Sequence, residues 1–228
     1  MIHHGSIEQF LTRVADRSVL PDIAALARTV RVKAGCEVPL APLGATLVYI
    51  ANGAAKLVAR AAADREQVAA FNFAGDLVTV PGAGPHAYIL IALGDSELVV
   101  LPYAALREAV RGDAAVLARL LDNCDSALGR CREKALMLGR KTASERMAGF
   151  LLAMAGRIGV PHDGAVLLDL PMSRRDIGDG IGLTIETVSR QFSLLRDDHL
   201  IATEGRSKVI LLDLPELEAR AGHLQIPV

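Results

Sequence analysis

The sequence predicts an α+β chain in three parts: a barrel or sandwich of short strands, one long helix, and short helices closed by a β-hairpin. Three observations carry this. Residues 30 to about 103 hold short apolar runs broken by turn residues, the pattern of a many-stranded barrel or sandwich. From Asp113 to about Arg140 proline is absent and apolar residues recur at heptad spacing, as on a helix that packs along a partner. Beyond residue 142, capping residues and a glycine turn punctuate short amphipathic segments.

Composition narrows the class first. Of 228 residues, 51% are hydrophobic, enough for a core and too many for a disordered chain. No apolar run approaches the roughly 20 residues that span a bilayer, and Met1 to Leu11 lacks a basic-then-apolar leader pattern. A cytoplasmic protein without a membrane role is expected. The net charge of −1 excludes a protein that coats nucleic acid indiscriminately, but not one that reads a sequence with a few placed side chains. The cysteines are Cys36, Cys124 and Cys131. An odd number with no C-x-x-C spacing predicts neither a disulfide framework nor a zinc site, and an iron–sulfur cluster commonly takes four thiolates.

The expected strands are Thr46–Ala51, Ala54–Ala59, Val68–Phe73, Tyr88–Leu93 and Glu97–Leu101, separated by Asn52-Gly53, Ala74-Gly75-Asp76, Pro81-Gly82 and Gly94-Asp95. On the long helix Leu117, Leu121, Cys124, Leu128, Cys131, Ala135 and Leu138 follow at spacings of 4, 3, 4, 3, 4 and 3. This seam fits a parallel homodimer, the alternative being an amphipathic helix packed on its own domain. Ala143–Ile158 reads as a further helix ended by Gly159 and Pro161, and Val166–Leu170 as a short apolar segment.

Ser173 to Asp176 form a capping box, with Asp in place of the usual Glu or Gln. The short helix it starts runs to Ile181, Gly182 turns the chain, and Thr184 caps a second helix, Ile185–Asp197. The inner face of that helix is expected to be Ile185, Val188, Phe192 and Leu195. Two short helices joined by a glycine turn make a helix-turn-helix, whose second helix enters the major groove. Its outer face holds Glu186, Ser189 and Arg190. A Glu can accept from cytosine N4, and an Arg can fork onto guanine O6 and N7. Glu186 and Arg190 are four apart, so they can pair and hold each other's rotamers. The plainer reading of that pair is a solvated surface salt bridge. Ala202 to Lys208 followed by Val209–Leu212 reads as a wing with Arg206 and Lys208 at its tip, or as a plain surface hairpin.

Leu170-Pro171-Met172-Ser173-Arg174-Arg175-Asp176-Ile177 and Gly182-Leu183-Thr184-Ile185-Glu186-Thr187-Val188-Ser189-Arg190 closely resemble the CRP/FNR family of bacterial regulators, nearest its FNR and FixK-like branch. Leu138 to Ala143, with Glu145-Arg146, resembles the hinge of that branch. Gly75-Asp76-Leu77 and Asp95 to Leu98 look like its sensor barrel. The resemblance implies a sensor double-stranded β-helix, similar to cyclic-nucleotide-binding jelly rolls, over 1–112. It further implies a dimerisation helix and hinge over 113–140 and a winged helix-turn-helix over 141–228. It implies a transcription regulator that acts as a homodimer on double-stranded DNA and works with RNA polymerase. Glu186, Ser189 and Arg190 would read a TTGA-type half-site, in a palindrome with half-sites about one helical turn apart. Ser173, Arg174, Thr184, Thr187, Arg206 and Lys208 complete the expected DNA-binding set.

The departures from the family pattern bear on the signal. Cyclic-AMP binders carry a Gly-Glu pair and an Arg-Ser or Arg-Thr pair; Gly75 to His86 here holds no Glu and no Arg. The family's oxygen sensors carry clustered N-terminal cysteines, and the first 35 residues hold none. Neither cyclic AMP nor an iron–sulfur cluster is expected. Haem, with His3, His4 or His86 as ligand, and a sensor without ligand both stay open. Cys124 and Cys131 are small apolar seam residues or, alternatively, thiols that cross-link the dimer on oxidation. An enzyme is not expected: the barrel segment has one His, and Gly-x-Ser-x-Gly and a phosphate-binding loop are absent. The remaining alternative is an interaction module that kept the fold and lost DNA binding.

Overall fold

Side chains of a strand alternate between faces, so a strand covered on both sides needs apolar residues throughout. Strands β2 (Thr46–Asn52) and β7 (Ser96–Pro102) are of this kind. Val48, Ile50, Leu98 and Val100 point into the space between two sheets, where they meet Leu90 and Ala92 of β6 (Ala87–Ala92). Leu47, Tyr49, Val99 and Leu101 point the other way, into a second cluster. There they meet Phe10 of α1 (His4–Val14), Ile23 of α2 (Leu20–Leu26) and Leu106 of α3 (Tyr103–Ala109). Full burial of each such side chain stabilises the fold by about 1.5–3 kcal/mol.

The computed structural model describes residues 4–14, 20–40, 44–60, 66–82, 84 and 86–222. The chain divides into two compact units, Met1–Leu128 and Gly129–Val228. In the first, β1 (Arg28–Val32), β7, β2 and β5 (Leu77–Val80) form one antiparallel sheet in that order. The second sheet is β4 (Glu66–Phe73), β3 (Ala54–Arg60) and β6. The five expected strands are present to within two residues at each end. β1 and β5 went unpredicted: β1 mixes two arginines into its run, and β5 follows a turn cluster closely. Gly53 joins β2 to β3 at φ +88°. A side chain there would lie 2.3 Å from the Ser96 hydroxyl, which donates to the Gly94 carbonyl at 2.8 Å.

Helix α4 (Ala114–Arg140) has two stripes. Val116 and Leu120 are buried in the cluster that covers β2 and β7, and the Asn123 amide donates to the Leu77 carbonyl. About a quarter-turn away, Leu117, Leu121, Cys124 and Leu128 are exposed, Leu121 at 68%. The first turns of α4 thus belong to the sensor core, and the division between the two units falls inside the helix, after Leu128.

The second unit opens with α5 (Ala143–Ile158). Thr142 caps it: its hydroxyl accepts from the Glu145 N–H while the Glu145 carboxylate accepts from the Thr142 N–H at 2.7 Å. The Thr142 hydroxyl also donates to that carboxylate at 2.6 Å, and this bond first, then the one from the Thr142 N–H, holds the Glu145 carboxyl below its ordinary range. Strands β8 (Val160–His162) and β9 (Ala165–Asp169) lead to helices α6 (Arg174–Ile181) and α7 (Ile185–Asp197). Then come β10 (Ile201–Glu204), β11 (Lys208–Leu211) and α8 (Leu214–Arg220). The four strands form one antiparallel sheet in the order β10-β11-β9-β8. Met147, Leu151, Leu168, Ile177, Val188, Phe192 and Leu217 are buried in this unit.

Candidate nucleic-acid interface

The two helices of the motif are set by their ends. Ser173 and Asp176 form the reciprocal cap of α6, with the Ser173 N–H donating to the Asp176 carboxylate at 2.9 Å. Gly182 ends the helix in the left-handed region at φ +68°, and its N–H donates back to the Gly178 carbonyl. Gly178 had given no sequence signal, yet a side chain on it would lie 2.5 Å from the Leu183 carbonyl oxygen. A glycine is therefore needed twice for so short a turn. The Arg146 guanidinium locks the same corner, donating to the carbonyls of Leu138, Lys141, Ile181 and Gly182. Those are C-terminal carbonyls that have no partner within their own helices.

Thr184 caps α7, its hydroxyl accepting from the Thr187 N–H at 3.2 Å. The buried face is Val188, Gln191, Phe192 and Leu195. Ile185 does not join it: at the first helical position it stays 41% exposed. Gln191 takes a buried place that the apolar pattern could not announce. Glu186, Ser189 and Arg190 are exposed on the first turns.

The Glu186–Arg190 pair that the spacing allows does not form. Among the described residues Arg190 makes no ion pair or hydrogen bond with protein groups. The Glu186 carboxyl is held below its ordinary range by the helix-terminal backbone N–H first, then the Thr184 hydroxyl, with Arg175 contributing. The Arg190 guanidinium is thus left for groups outside the protein, while the Glu186 carboxylate stays exposed at the helix end with Thr184 as its neighbour. Three expected polar residues are less free. The Ser173 and Thr184 hydroxyls are committed to their caps, and the Ser189 hydroxyl donates to the Ile185 carbonyl.

The wing is the β10–β11 hairpin. Its tip holds Gly205 at φ +61° and the exposed Arg206. Lys208 is exposed too, but its register neighbours are Glu204 on one side and Asp169 on the other, so the net charge there is not positive. Arg174 stacks on Phe192, with its guanidinium carbon 3.1 Å from the ring centroid.

Residues 145–220 match the Crp-like helix-turn-helix domain. The transcriptional activator protein FnrL of Cereibacter sphaeroides is 34% identical over 177 residues, 76% of this chain and 71% of that protein. The transcriptional activator protein anr of Pseudomonas aeruginosa is 31% identical over 183 residues, 79% of this chain and 74% of that protein. The chain belongs to the CRP/FNR family.

Within that family its place is the FNR and FixK branch. The structure of FixK2 from Bradyrhizobium japonicum superposes with a TM-score of 0.76 at 30% identity, covering 85% of this chain and 96% of that one. A CooA structure from Carboxydothermus hydrogenoformans shares the fold, with a TM-score of 0.77 at 18% identity, covering 97% of this chain and 98% of that one. The chain is a transcription regulator of the CRP/FNR type and not an enzyme.

The other expected sites fall in both units. Leu117, Leu121, Leu128 and both seam cysteines are exposed on α4, whereas Leu138 is half-buried beside Gly182. Cys124 and Cys131 are therefore not buried within their own chain. Leu136, 62% exposed, was missed because it lies off the strict heptad. In the sensor unit a groove of about 310 Å³ runs between Leu40, Thr46, Val80, Gly82, His86 and Tyr88. His3 and the His4 side chain lie outside the described residues. Among those described, no three His, Cys, Asp or Glu side chains converge as a metal site would need, and no helix is long and apolar enough to cross a membrane.

Proposed function

We propose that the protein binds a TTGA-type palindrome as a homodimer, each protomer placing α7 in the major groove, and that it acts in the cytoplasm with RNA polymerase as partner. The observation that carries this is the exposed, mutually unpaired Glu186 and Arg190 on the first turns of a capped helix. In this motif those turns touch base edges. The exposed leucines of α4 support a second copy as the partner: Leu117, Leu121 and Leu128 make an apolar stripe at heptad spacing, which two parallel helices bury together.

The signal is neither cyclic AMP nor an iron–sulfur cluster. The sensor groove offers His86 and no Arg among its described lining residues, too little to neutralise a cyclic phosphate. The three thiols are unpaired and exposed, one after β1 and two on α4.

Gel shift with a TTGA palindrome against a scrambled duplex tests the reading, alongside light scattering for the dimer. Selective retardation by a dimer is expected. Equal affinity for both duplexes would overturn it, and no affinity for either would leave an interaction module. Calorimetry with cyclic AMP is expected to show no heat; saturable binding overturns the proposal about the signal.

A further inference from the structure

Two cations of the head, Arg174 and Arg196, pair with no acid among the described residues. Arg174 opens α6, and its guanidinium lies flat on the Phe192 ring. One of its nitrogens, Nη1, is buried and has no hydrogen-bond partner. The rest of the group makes no ion pair among the described residues. Burial first, and then the charge of Arg196, pull the Arg174 guanidinium down to about 10. Arg196 stands one helical turn beyond Phe192 on α7. It donates to the Ser193 hydroxyl at 3.0 Å and to Thr203 of the wing strand at 3.4 Å, so it leans from α7 toward the wing.

The arrangement costs stability as it stands. Two like charges in a partly desolvated place repel, and an ion with a buried, unpartnered N–H forfeits a hydrogen bond. Neutral partners hold both side chains there: an aromatic face for one, two hydroxyls for the other. An anion with several oxygens removes both costs, since guanidinium forks match phosphate geometry.

We propose that Arg174 and Arg196 jointly hold one backbone phosphodiester of each half-site, between the N-terminus of α6 and the wing. This inference rests on the DNA-binding reading above and adds a residue, Arg196, that nothing in the sequence distinguishes from any other cation at a helix C-terminus. It assigns the backbone charge contact to this pair rather than to Lys208, which two acids flank. The contact positions the helix and carries no base information.

The test uses the full chain, as wild type, Arg196→Gln and Arg196→Lys, with the palindrome and a scrambled duplex over a series of salt concentrations. Arg196→Gln is expected to weaken both duplexes by the same factor, about tenfold per protomer. It should also lower the slope of log affinity against log salt by about two per dimer, one phosphate per half-site at ~0.9 each. Arg196→Lys restores the slope. Single methylphosphonates scanned through the half-site should include one that weakens wild type clearly more than Arg196→Gln, in which Arg174 alone still faces that phosphate. Arg196 is exposed and adds repulsion, so Arg196→Gln should melt no lower than wild type; such a midpoint with unchanged affinity and slope overturns the proposal. Inorganic phosphate that raises the wild-type midpoint and not that of Arg196→Gln, with DNA slopes equal, also overturns it, in favour of a free-anion site. Wild type that ignores the palindrome sinks the DNA-binding reading itself, a result distinct from a null effect of Arg196→Gln.

Discussion

The sensor unit and the DNA-binding unit use their conspicuous residues in opposite ways. In the sensor unit both faces of β2 and β7 are consumed by packing, and the charged groups pair off at the surface, as Lys33 does with Asp95 at 2.6 Å. In the head, Arg190, Arg174 and Arg196 form no ion pair with an acid among the described residues. Charge that the fold does not neutralise is charge held for something outside it. The contrast explains why the head announces its task while the barrel leaves its signal unnamed.

The contrast can be attacked from both ends. Leu98→Ala, at a fully buried position between the sheets, should cost about 2–5 kcal/mol of stability. Urea unfolding reads this, and a loss under about 1 kcal/mol would mean the two sheets do not share a tight core. Arg190→Ala should leave the melting midpoint alone yet cost about 1–3 kcal/mol in operator affinity, with relaxed preference at one base pair per half-site. Equal losses on specific and random DNA would remove its base-reading role.

A smaller effect belongs to the cap of α5. Thr142→Ala should lower stability by about 1 kcal/mol. Because the folded state depresses the Glu145 pKa, the cap contributes fully above the unfolded value, near the ordinary 4.5, and fades as pH falls through the folded value. The gap in melting midpoint between wild type and Thr142→Ala should narrow in acid; a gap that widens there contradicts the cap. The least effect is expected from Lys33→Ala: its pair is solvent-exposed, and such pairs add little. An unchanged midpoint is the expected result, and a large drop would mean that the barrel surface is tuned by charge after all.

Much of the head was legible because its signals are local. Ser173, Thr184 and Gly182 mark helix ends through chemistry confined to a few neighbouring residues, and the observed helix Ile185–Asp197 has the expected bounds. The Glu186–Arg190 pair was allowed but not decided there, because spacing shows only that two groups can meet. In the folded chain Glu186 is instead stabilised by its own helix terminus and Thr184. Ile185 stays exposed and Gln191 is buried for a similar reason: the burial of α7 is set by what packs on it, and period alone could not choose between neighbours.

From the amino-acid order alone came the three-part plan, the capped helix-turn-helix and the three residues facing outward, since each depends on periodicity or on contacts within a turn. Tertiary structure decided which groups stay unneutralised. The start of α4 joins the sensor core, and Arg146 gathers four carbonyls from separated stretches of chain. Arg174, 22 positions from Arg196 in sequence, rests on the ring of Phe192, one helical turn before Arg196 on α7. Such proximity follows from how helices pack, and no local pattern encodes it.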